Sequence, residues 1–170
     1  MKSKSALQLV KGMKFVKESG VWADLGCGSG LFTSALASLL GADGRIFAVD
    51  NRPNPLSTAV KGNIEFIKMD FMEDDLPFTD IDGFLMANLL HYVDDKMGFI
   101  KKLVKHLSPN GQFLIVEYET DMSSYLLPFP IKYKDLQQLF AQTGFKTSQY
   151  LGDKQSSYHF GKMYVCSFSK

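Results

Sequence analysis

The chain has 170 residues, 45% of them hydrophobic, and a formal net charge of +1. This size and composition argue against disorder and predict a single globular domain over residues 1–170. The balanced charge includes no Lys/Arg block suited to a nucleic-acid backbone, and no apolar run reaches the roughly 18 residues of a membrane span. Cys27 and Cys166 lie too far apart in the sequence to suggest a disulfide framework or a metal cluster. We therefore expect a cytoplasmic protein without a bound metal.

The first predicted element is an amphipathic helix. Its apolar positions, Leu7, Val10, Met13 and Val16, recur at helical spacing behind Ser5 as N-cap, and the segment ends at 20. A second helix is predicted over 31–40. Short apolar runs predict five strands, at 21–25, 45–50, 64–69, 81–87 and 112–118. Strands that alternate with helices predict an α/β fold in which a parallel sheet carries helices on both faces.

The last part of the chain departs from this alternation. Asp94 or Asp95 is expected to cap a helix that ends at the turn "SPNG", residues 108–111, and a further amphipathic helix ends at Gly144. Two extended runs, at 145–151 and 160–168, are joined by polar residues with no room for a crossover helix. They should therefore pair antiparallel and bring the sheet to seven strands.

The stretch "WADLGCGSG", residues 22–30, places three glycines at alternate positions after the first strand. In open parallel sheets, ligands bind outside the carboxyl ends of the strands, which is where this loop lies. Gly26 and Gly28 would let a ligand contact the main chain directly, while Gly30 permits close helix packing. A tight structural turn needs only one glycine, so the pattern favours a binding loop.

The spacing of the loop limits the kind of ligand. A dinucleotide-binding loop would have its third glycine where Leu31 stands, and a phosphate-binding loop would end in Gly-Lys-Ser/Thr. Asp24 just ahead of the glycines would repel a pyrophosphate but would suit a ligand with an ammonium group and a positive sulfur.

The motifs together resemble the class I S-adenosylmethionine-dependent methyltransferases of the small-molecule type. The resemblance rests on "VWADLGCGSG" with "GRIFAVD", and continues through "IEFIKMDFMEDDLPF", "IDGFLMANLLHYV" and "LSPNGQFLIVEYE". It covers roughly residues 15–168 in the expected order. It implies a three-layer, doubly wound α/β fold with strand order 3-2-1-4-5-7-6 and strand 7 antiparallel. It also implies S-adenosylmethionine as the cofactor and S-adenosylhomocysteine as the product.

The resemblance assigns cofactor-binding roles to residues at the strand ends. Around the methionine half it implies Gly26, Cys27, Gly28 and Gly30, with Asp24 near the amino group; around the ribose it implies Asp50. Around the adenine it implies Asn51, Asp70 and the main chain of Phe71, and near the reacting methyl Asn88 and Leu89. The alternative for Asp50 and Asp70 is that these acids cap helices.

Two segments depart from the family pattern. The connection after Asp50 is short and has two prolines, so we expect only a stunted helix at 56–60, with an adenine pocket left more open by Asn51. The insert after the fifth strand, "TDMSSYLLPFPIKYK", is the main candidate for acceptor recognition. Its apolar part, residues 125–130, either forms a rim or interface or packs on the sheet as an ordinary loop.

Methyl transfer is an in-line displacement, and it needs a base only when the acceptor must lose a proton. His91 is the best placed candidate, followed by Glu117 and Tyr118, although each is also compatible with a structural role at the edge of the site. The motifs of enzymes that methylate nucleic-acid bases are absent. We therefore expect a small metabolite or a protein side chain as the acceptor. The alternative is a non-catalytic S-adenosylmethionine-binding scaffold or sensor that needs a partner. In either case the sequence leaves open whether a second copy of the chain or a partner chain covers the site.

Overall fold

The computed structural model describes residues 3–52, 56, 62–156 and 161–170. The strands are β1 Val21–Leu25, β2 Arg45–Asp50, β3 Ile64–Lys68, β4 Ile81–Ala87, β5 Leu107–Tyr118, β6 Thr147–Gln155 and β7 Lys162–Ser169. The helices are α1 Ser3–Val10, α2 Leu31–Ala37, α3 Lys96–Val104 and α4 Tyr133–Gln142, with a 3₁₀ turn at Leu90–Tyr92.

The seven strands form one sheet in the order β3-β2-β1-β4-β5-β7-β6. Strands β1 to β5 pair in parallel, whereas β7 runs antiparallel to both β5 and β6. This confirms the predicted α/β class, strand order and reversed last strand. Because β6 runs parallel to β5, the end of β6 and the start of β7 reach the edge where the other strands have their carboxyl ends.

Alternation along the central strands divides the core between the two faces of the sheet. Trp22 belongs to a cluster that α1 and α2 cover, while its neighbour Ala23 belongs to a cluster that α3 and α4 cover. The same alternation separates Leu114 from Phe113 in β5. A Cβ on Gly83 would lie 2.5 Å from the Trp22 ring, so a glycine in β4 makes room for the indole. Three layers result, as predicted.

Several predicted boundaries are wrong. Helix α1 already ends at Val10 and contains Ser5, which is therefore not its cap. Helix α2 ends at Ala37 rather than at 40, and β6 starts and ends later than predicted. The "SPNG" turn signal at 108–111 lies inside β5, where the pairing with β4 shifts register between Ile81 and Gly83. The N-cap of α3 is Asp95, whose carboxylate accepts a hydrogen bond from the Gly98 N–H at 2.8 Å. The predicted helix at 56–60 lies outside the described residues, apart from 56.

The segment between β5 and α4 has features of both predicted alternatives, a packed loop and an exposed apolar rim. Leu127 is buried, but Tyr125 is 98% exposed and Leu126 is 53% exposed. The backbone N–H of Phe129 donates to the carbonyl of His91 at 2.9 Å, so the segment is attached beside the carboxyl end of β4. It is therefore an anchored loop with an apolar outer surface.

Candidate functional site

The glycine loop follows β1 and has left-handed backbone angles that favour glycine. The φ values are 70° at Gly26, 53° at Gly28 and 81° at Gly30. The N–H of Gly26 donates to the carbonyl of Val49 at 2.8 Å, which holds the loop against the end of β2. A Cβ on Gly26 would lie 3.3 Å from the Leu89 side chain. The loop therefore presents bare main chain between the ends of β2 and β4.

Two cavities meet at this loop and share Gly26 and Asn88. The acidic cavity has a volume of about 390 Å³, and the glycine-loop cavity has a volume of about 240 Å³. The wall of the acidic cavity includes Asp50, Asn51, Arg52, Asp70, Phe71, Leu89 and Tyr92. The wall of the glycine-loop cavity includes Cys27, Gly28, Leu31, Tyr118, Lys154 and Met163. Most of the residues predicted to bind a cofactor thus line one connected trough at the carboxyl ends of the strands.

Asp50, at the end of β2, accepts four hydrogen bonds. Its Oδ1 accepts from the backbone N–H and the Nε of Arg52, both at 3.0 Å, and its Oδ2 accepts from Gly28 N at 2.9 Å and from an Arg52 terminal nitrogen at 3.1 Å. Burial alone would raise the pKa of Asp50, but the hydrogen bonds from Arg52 and Gly28 outweigh it and lower the pKa. Asp50 is therefore held as a carboxylate beside the loop.

Asp24 belongs to β1 and is buried just before the glycine loop. Its side chain is buried, it lines neither cavity, and its Oδ2 accepts a hydrogen bond from the Thr33 hydroxyl at 2.5 Å. Burial raises the pKa of Asp24 to about 7, the Thr33 hydrogen bond opposes the rise, and the nearby Asp50 charge adds to it. Thr33 thus engages one oxygen of Asp24, and the role of Asp24 near the amino group of the cofactor stays a prediction.

The opposite wall of the acidic cavity is the turn that begins at Asp70. The Asp70 carboxylate accepts from Met72 N at 3.1 Å, and Phe71 is buried beneath the turn. The Lys102 ammonium donates to three carbonyls of this turn, including that of Asp74 at 2.6 Å. Lys102 comes from α3, so sequence adjacency gave no signal for its role.

Asn88, which directly follows β4, has two features that distinguish a binding residue. Its φ is 55°, which is uncommon for a residue other than glycine, and its Oδ1 is buried with no hydrogen-bond partner among the described residues. Its backbone N–H donates to Val116 at 2.8 Å. Strain combined with an unsatisfied acceptor at the junction of the two cavities is the pattern expected of a site that a ligand completes.

The catalytic candidates His91 and Glu117 form a buried pair. The His91 Nδ1 lies 2.8 Å from the Glu117 carboxylate, and the His91 ring contacts the rings of Tyr92 and Tyr118 at centroid distances of 4.2 and 5.7 Å. His91 is only 2% exposed and lines neither cavity, whereas Tyr92 lines the acidic cavity and Tyr118 the glycine-loop cavity. The pair therefore supports two aromatic wall residues from behind.

The glycine-loop cavity also has wall residues that the sequence did not predict. Lys154, Gln155 and Ser156 come from the end of β6, and Met163 comes from the start of β7.

Burial raises the pKa of Cys27 to about 12, and the neighbouring acids add to the rise, so the thiol remains protonated and is not a nucleophile.

The residues present fit the two halves of S-adenosylmethionine. The acidic cavity offers carboxylate acceptors for ribose hydroxyls and for an adenine amino group, and the turn after Asp70 offers backbone groups beside it. The glycine-loop cavity offers bare main chain, and Lys154 provides a positive charge suited to the carboxylate of an amino acid. Asn88 and Gly26 lie where the two halves would join.

Comparison with known proteins agrees with this fit. The family model for a methyltransferase domain matches residues 23–115, which is more than half of the chain. The demethylmenaquinone methyltransferase of Bacillus mycoides is 24% identical over 167 residues, covering 91% of this chain and 70% of that protein. A ubiquinone/menaquinone biosynthesis C-methyltransferase of Pseudomonas paraeruginosa is 29% identical over 113 residues, covering 61% of this chain and 43% of that protein. The chain thus spans less than half of the length of the second relative.

Solved structures share the fold over the full chain. A SAM-dependent methyltransferase of Thermotoga maritima, described as a possible histamine N-methyltransferase, has a TM-score of 0.73 at 19% identity and covers 99% of this chain and 89% of that one. The 1,6-didemethyltoxoflavin-N1-methyltransferase of Burkholderia thailandensis, with bound 1,6-didemethyltoxoflavin and S-adenosylhomocysteine, has a TM-score of 0.71 at 21% identity. That match covers 99% of this chain and 77% of the Burkholderia chain.

Proposed function

The chain belongs to the family of methyltransferase domains and is a class I S-adenosylmethionine-dependent enzyme. From that premise we propose that it methylates a small organic acceptor with an aromatic ring. The observation that carries the proposal is the junction of the two cavities at Gly26 and Asn88. When bound, S-adenosylmethionine supplies a methyl group on a positive sulfur, and the protein has to align the acceptor with that bond and exclude water.

Different residues of the chain hold the cofactor and exclude water. Asp50 and the turn at Asp70 offer acceptors to the nucleoside, while the glycine loop holds its main chain open for the amino-acid part. Half-buried Leu89 and buried Phe32 give the two cavities apolar wall surface that keeps water away. These roles stay predictions for the individual residues.

Two tyrosines support an aromatic acceptor. Tyr92 belongs to the wall of the acidic cavity and Tyr118 to that of the glycine-loop cavity, and both rings contact the His91 ring. Tyr92 is 55% exposed, so an aromatic molecule arriving from solvent has a ring to stack against. The Bacillus relative is by its name a demethylmenaquinone methyltransferase, which supports an acceptor of small-molecule type.

We assign His91 and Glu117 a positioning role within this proposal. A carboxylate only accepts hydrogen bonds, so Nδ1 of His91 donates its hydrogen to Glu117. The 2% exposure of His91 keeps its ring away from an acceptor molecule in this conformation. The pair therefore acts through the two tyrosines that it supports.

We also propose a cytoplasmic location, an acceptor other than a nucleic acid, and no membrane association. Both cysteines are free and buried, which suits a reducing compartment. Among the described residues, the helices are too short or too polar to cross a bilayer. Fractionation of cells that express a tagged chain tests the location, and a membrane-pellet signal resistant to salt would contradict it.

The proposal is tested by measuring binding and turnover separately. Calorimetry with S-adenosylhomocysteine tests the site, and formation of S-adenosylhomocysteine from S-adenosylmethionine over a panel of small phenols, quinols and amines tests transfer. Gly26→Ala should abolish binding, because its φ of 70° strains a side chain and its Cβ would lie 3.3 Å from Leu89. Gly144→Ala is the matched control, since its φ is 94° but nothing lies within 4 Å of a Cβ there.

Two results would contradict the proposal. Absence of binding at about millimolar ligand, a concentration that corresponds to roughly 4 kcal/mol of binding free energy, would contradict the cofactor site. Binding without transfer to any acceptor, unless a second protein is added, would favour the non-catalytic scaffold instead.

A further inference from the structure

The acceptor positions of the Asp50 carboxylate are already filled. An ionised carboxylate has about four lone-pair positions on its two oxygens. In this structure Arg52 supplies three of the four hydrogen bonds to Asp50 and Gly28 supplies the fourth. A ribose diol that binds Asp50 must therefore replace a donor that is already there.

Among these donors only the Arg52 side chain is free to leave. The N–H groups of Gly28 and Arg52 belong to the main chain of the glycine loop and of the turn after β2. The Arg52 side chain is 63% exposed, whereas the Asp50 side chain is 6% exposed. A long exposed side chain reorients at little cost, while a buried carboxylate cannot follow it.

The Arg52 guanidinium also occupies space within the site. It lines the acidic cavity, and a Cβ on Gly28 would lie 3.3 Å from its terminal nitrogen. The guanidinium thus lies between the glycine loop and the end of β2, in the part of the cavity beside Asp50. The space that the guanidinium occupies and its hydrogen bonds to Asp50 therefore both oppose the binding of a ribose at this carboxylate.

We propose that Arg52 competes with the ribose of the cofactor for Asp50 and thereby sets the affinity of the site and its salt dependence. This inference rests on the proposed function. Binding of the nucleoside moves the guanidinium from Asp50 into solvent, and the free energy of the Arg52–Asp50 ion pair is subtracted from the free energy of cofactor binding. Salt weakens an ion pair with one exposed partner, so the competition decreases as ionic strength rises.

The experiment compares three variants by calorimetry with S-adenosylhomocysteine, so that no turnover is needed. Arg52→Ala should bind about three- to tenfold more tightly than the wild type, the range expected for a bidentate pair that is screened on one side. Arg52→Lys keeps the charge but loses the planar fork, and its affinity should fall between the two. Arg45→Ala is the matched control, because Arg45 pairs with Glu65 at the other end of β2 and both side chains are exposed.

Salt provides a second readout. The affinity ratio between Arg52→Ala and the wild type should approach one as the salt concentration rises from about 0.05 M to about 0.5 M, where the screening length falls below the size of the site. Arg45→Ala should match the wild type at every salt concentration.

The outcomes separate this inference from the proposed function. If neither the wild type nor Arg52→Ala binds the ligand, the cofactor site itself is refuted. If the wild type binds and Arg52→Ala binds equally well or more weakly, Arg52 does not compete with the ribose and the inference is overturned. A gain in affinity of the same size in Arg45→Ala would also overturn it, because the effect would then reflect net charge alone.

Discussion

Replacing Asp24 with asparagine is expected to remove a pH-dependent loss of stability. The Asp24 side chain is 1% exposed and hydrogen-bonds to Thr33, and burial raises its pKa from 3.8 to about 7. An acid whose pKa is raised in the native state binds its proton more tightly there than in the unfolded chain. The free energy of unfolding of the wild type therefore falls as pH rises from about 4 to about 7, and changes little above that.

The size of this loss of stability follows from the shift in the pKa of Asp24. A rise from 3.8 to about 7 is about three pKa units, and each unit corresponds to about 1.36 kcal/mol, so the wild type loses about 4 kcal/mol over this pH range. Asparagine has a similar shape, still accepts from the Thr33 hydroxyl and does not titrate. The stability of Asp24→Asn relative to the wild type should therefore increase by about 4 kcal/mol between pH 4 and pH 8.

Urea denaturation of both proteins at several pH values measures this difference directly. The exposed Asp43, in the loop between α2 and β2, gives the control variant Asp43→Asn, which makes the same substitution at the surface instead of in the interior. A difference for Asp24→Asn that stays constant to within about 1 kcal/mol would refute the reasoning, because it would mean that Asp24 titrates normally in the native state.

Two further predictions concern packing in the sheet and the buried His91–Glu117 pair. Gly83→Ala should lower the free energy of unfolding by about 2 kcal/mol or more, because the new Cβ would lie 2.5 Å from the Trp22 ring in the sheet; urea denaturation measures the loss. His91→Ala should lower it by about 3 kcal/mol or more, because the buried Glu117 side chain loses the Nδ1 partner and keeps the backbone N–H groups of residue 91 and Tyr118 as donors; a double-mutant cycle with Glu117→Gln should then restore part of the loss.

Each of these has its own contradicting result. Gly161→Ala is the comparison for Gly83→Ala, since a Cβ at Gly161 meets nothing within 4 Å although its φ of 77° is strained. If Gly83→Ala costs no more than that variant, the indole is not confined as described. If the double variant is less stable than His91→Ala alone, the loss comes from packing of the histidine ring rather than from the carboxyl group that has lost its Nδ1 partner.

The sequence predicted the elements best where a single local signal determined them. Strands β1, β2 and β4 have the predicted bounds, because each is a short apolar run bounded by polar residues or glycine. The start of β5 was wrong because Ser108 to Gly111 have turn chemistry. In the structure these residues form an irregularity within the strand, where pairing moves from Leu107 to Gln112 while β4 advances only from Ile81 to Gly83. Local propensity does not distinguish a turn from such an irregularity.

The residues of the candidate site also divide into those that a local signal predicts and those that depend on tertiary contacts. Residues that directly follow parallel strands were predictable, because the topology collects them at one edge, and Asp50, Asp70 and Asn88 do line the acidic cavity. Asp24 lines neither cavity, because its side chain is held by Thr33 in the first turn of α2, a tertiary contact that the sequence does not reveal. Lys154 and Arg52 were missed, since a lysine in a strand and an arginine in a short loop carry no pattern of their own. The predicted cofactor class is confirmed by the family match, while the residue roles remain to be measured.

Strand β7 pairs with β5 on one side and with β6 on the other, although it follows both in the chain. During synthesis, which proceeds at about 5–20 residues per second, β5 would therefore wait with an open edge and β6 without a partner until β7 emerges. Met163 and the hydrogen bond from Ser156 to Gly161 complete the wall of the glycine-loop cavity only then. Pairing of β7 thus completes the glycine-loop cavity and covers the aggregation-prone edge of β5 in the same step. A chain interrupted before β7 is therefore expected to lack activity and to aggregate.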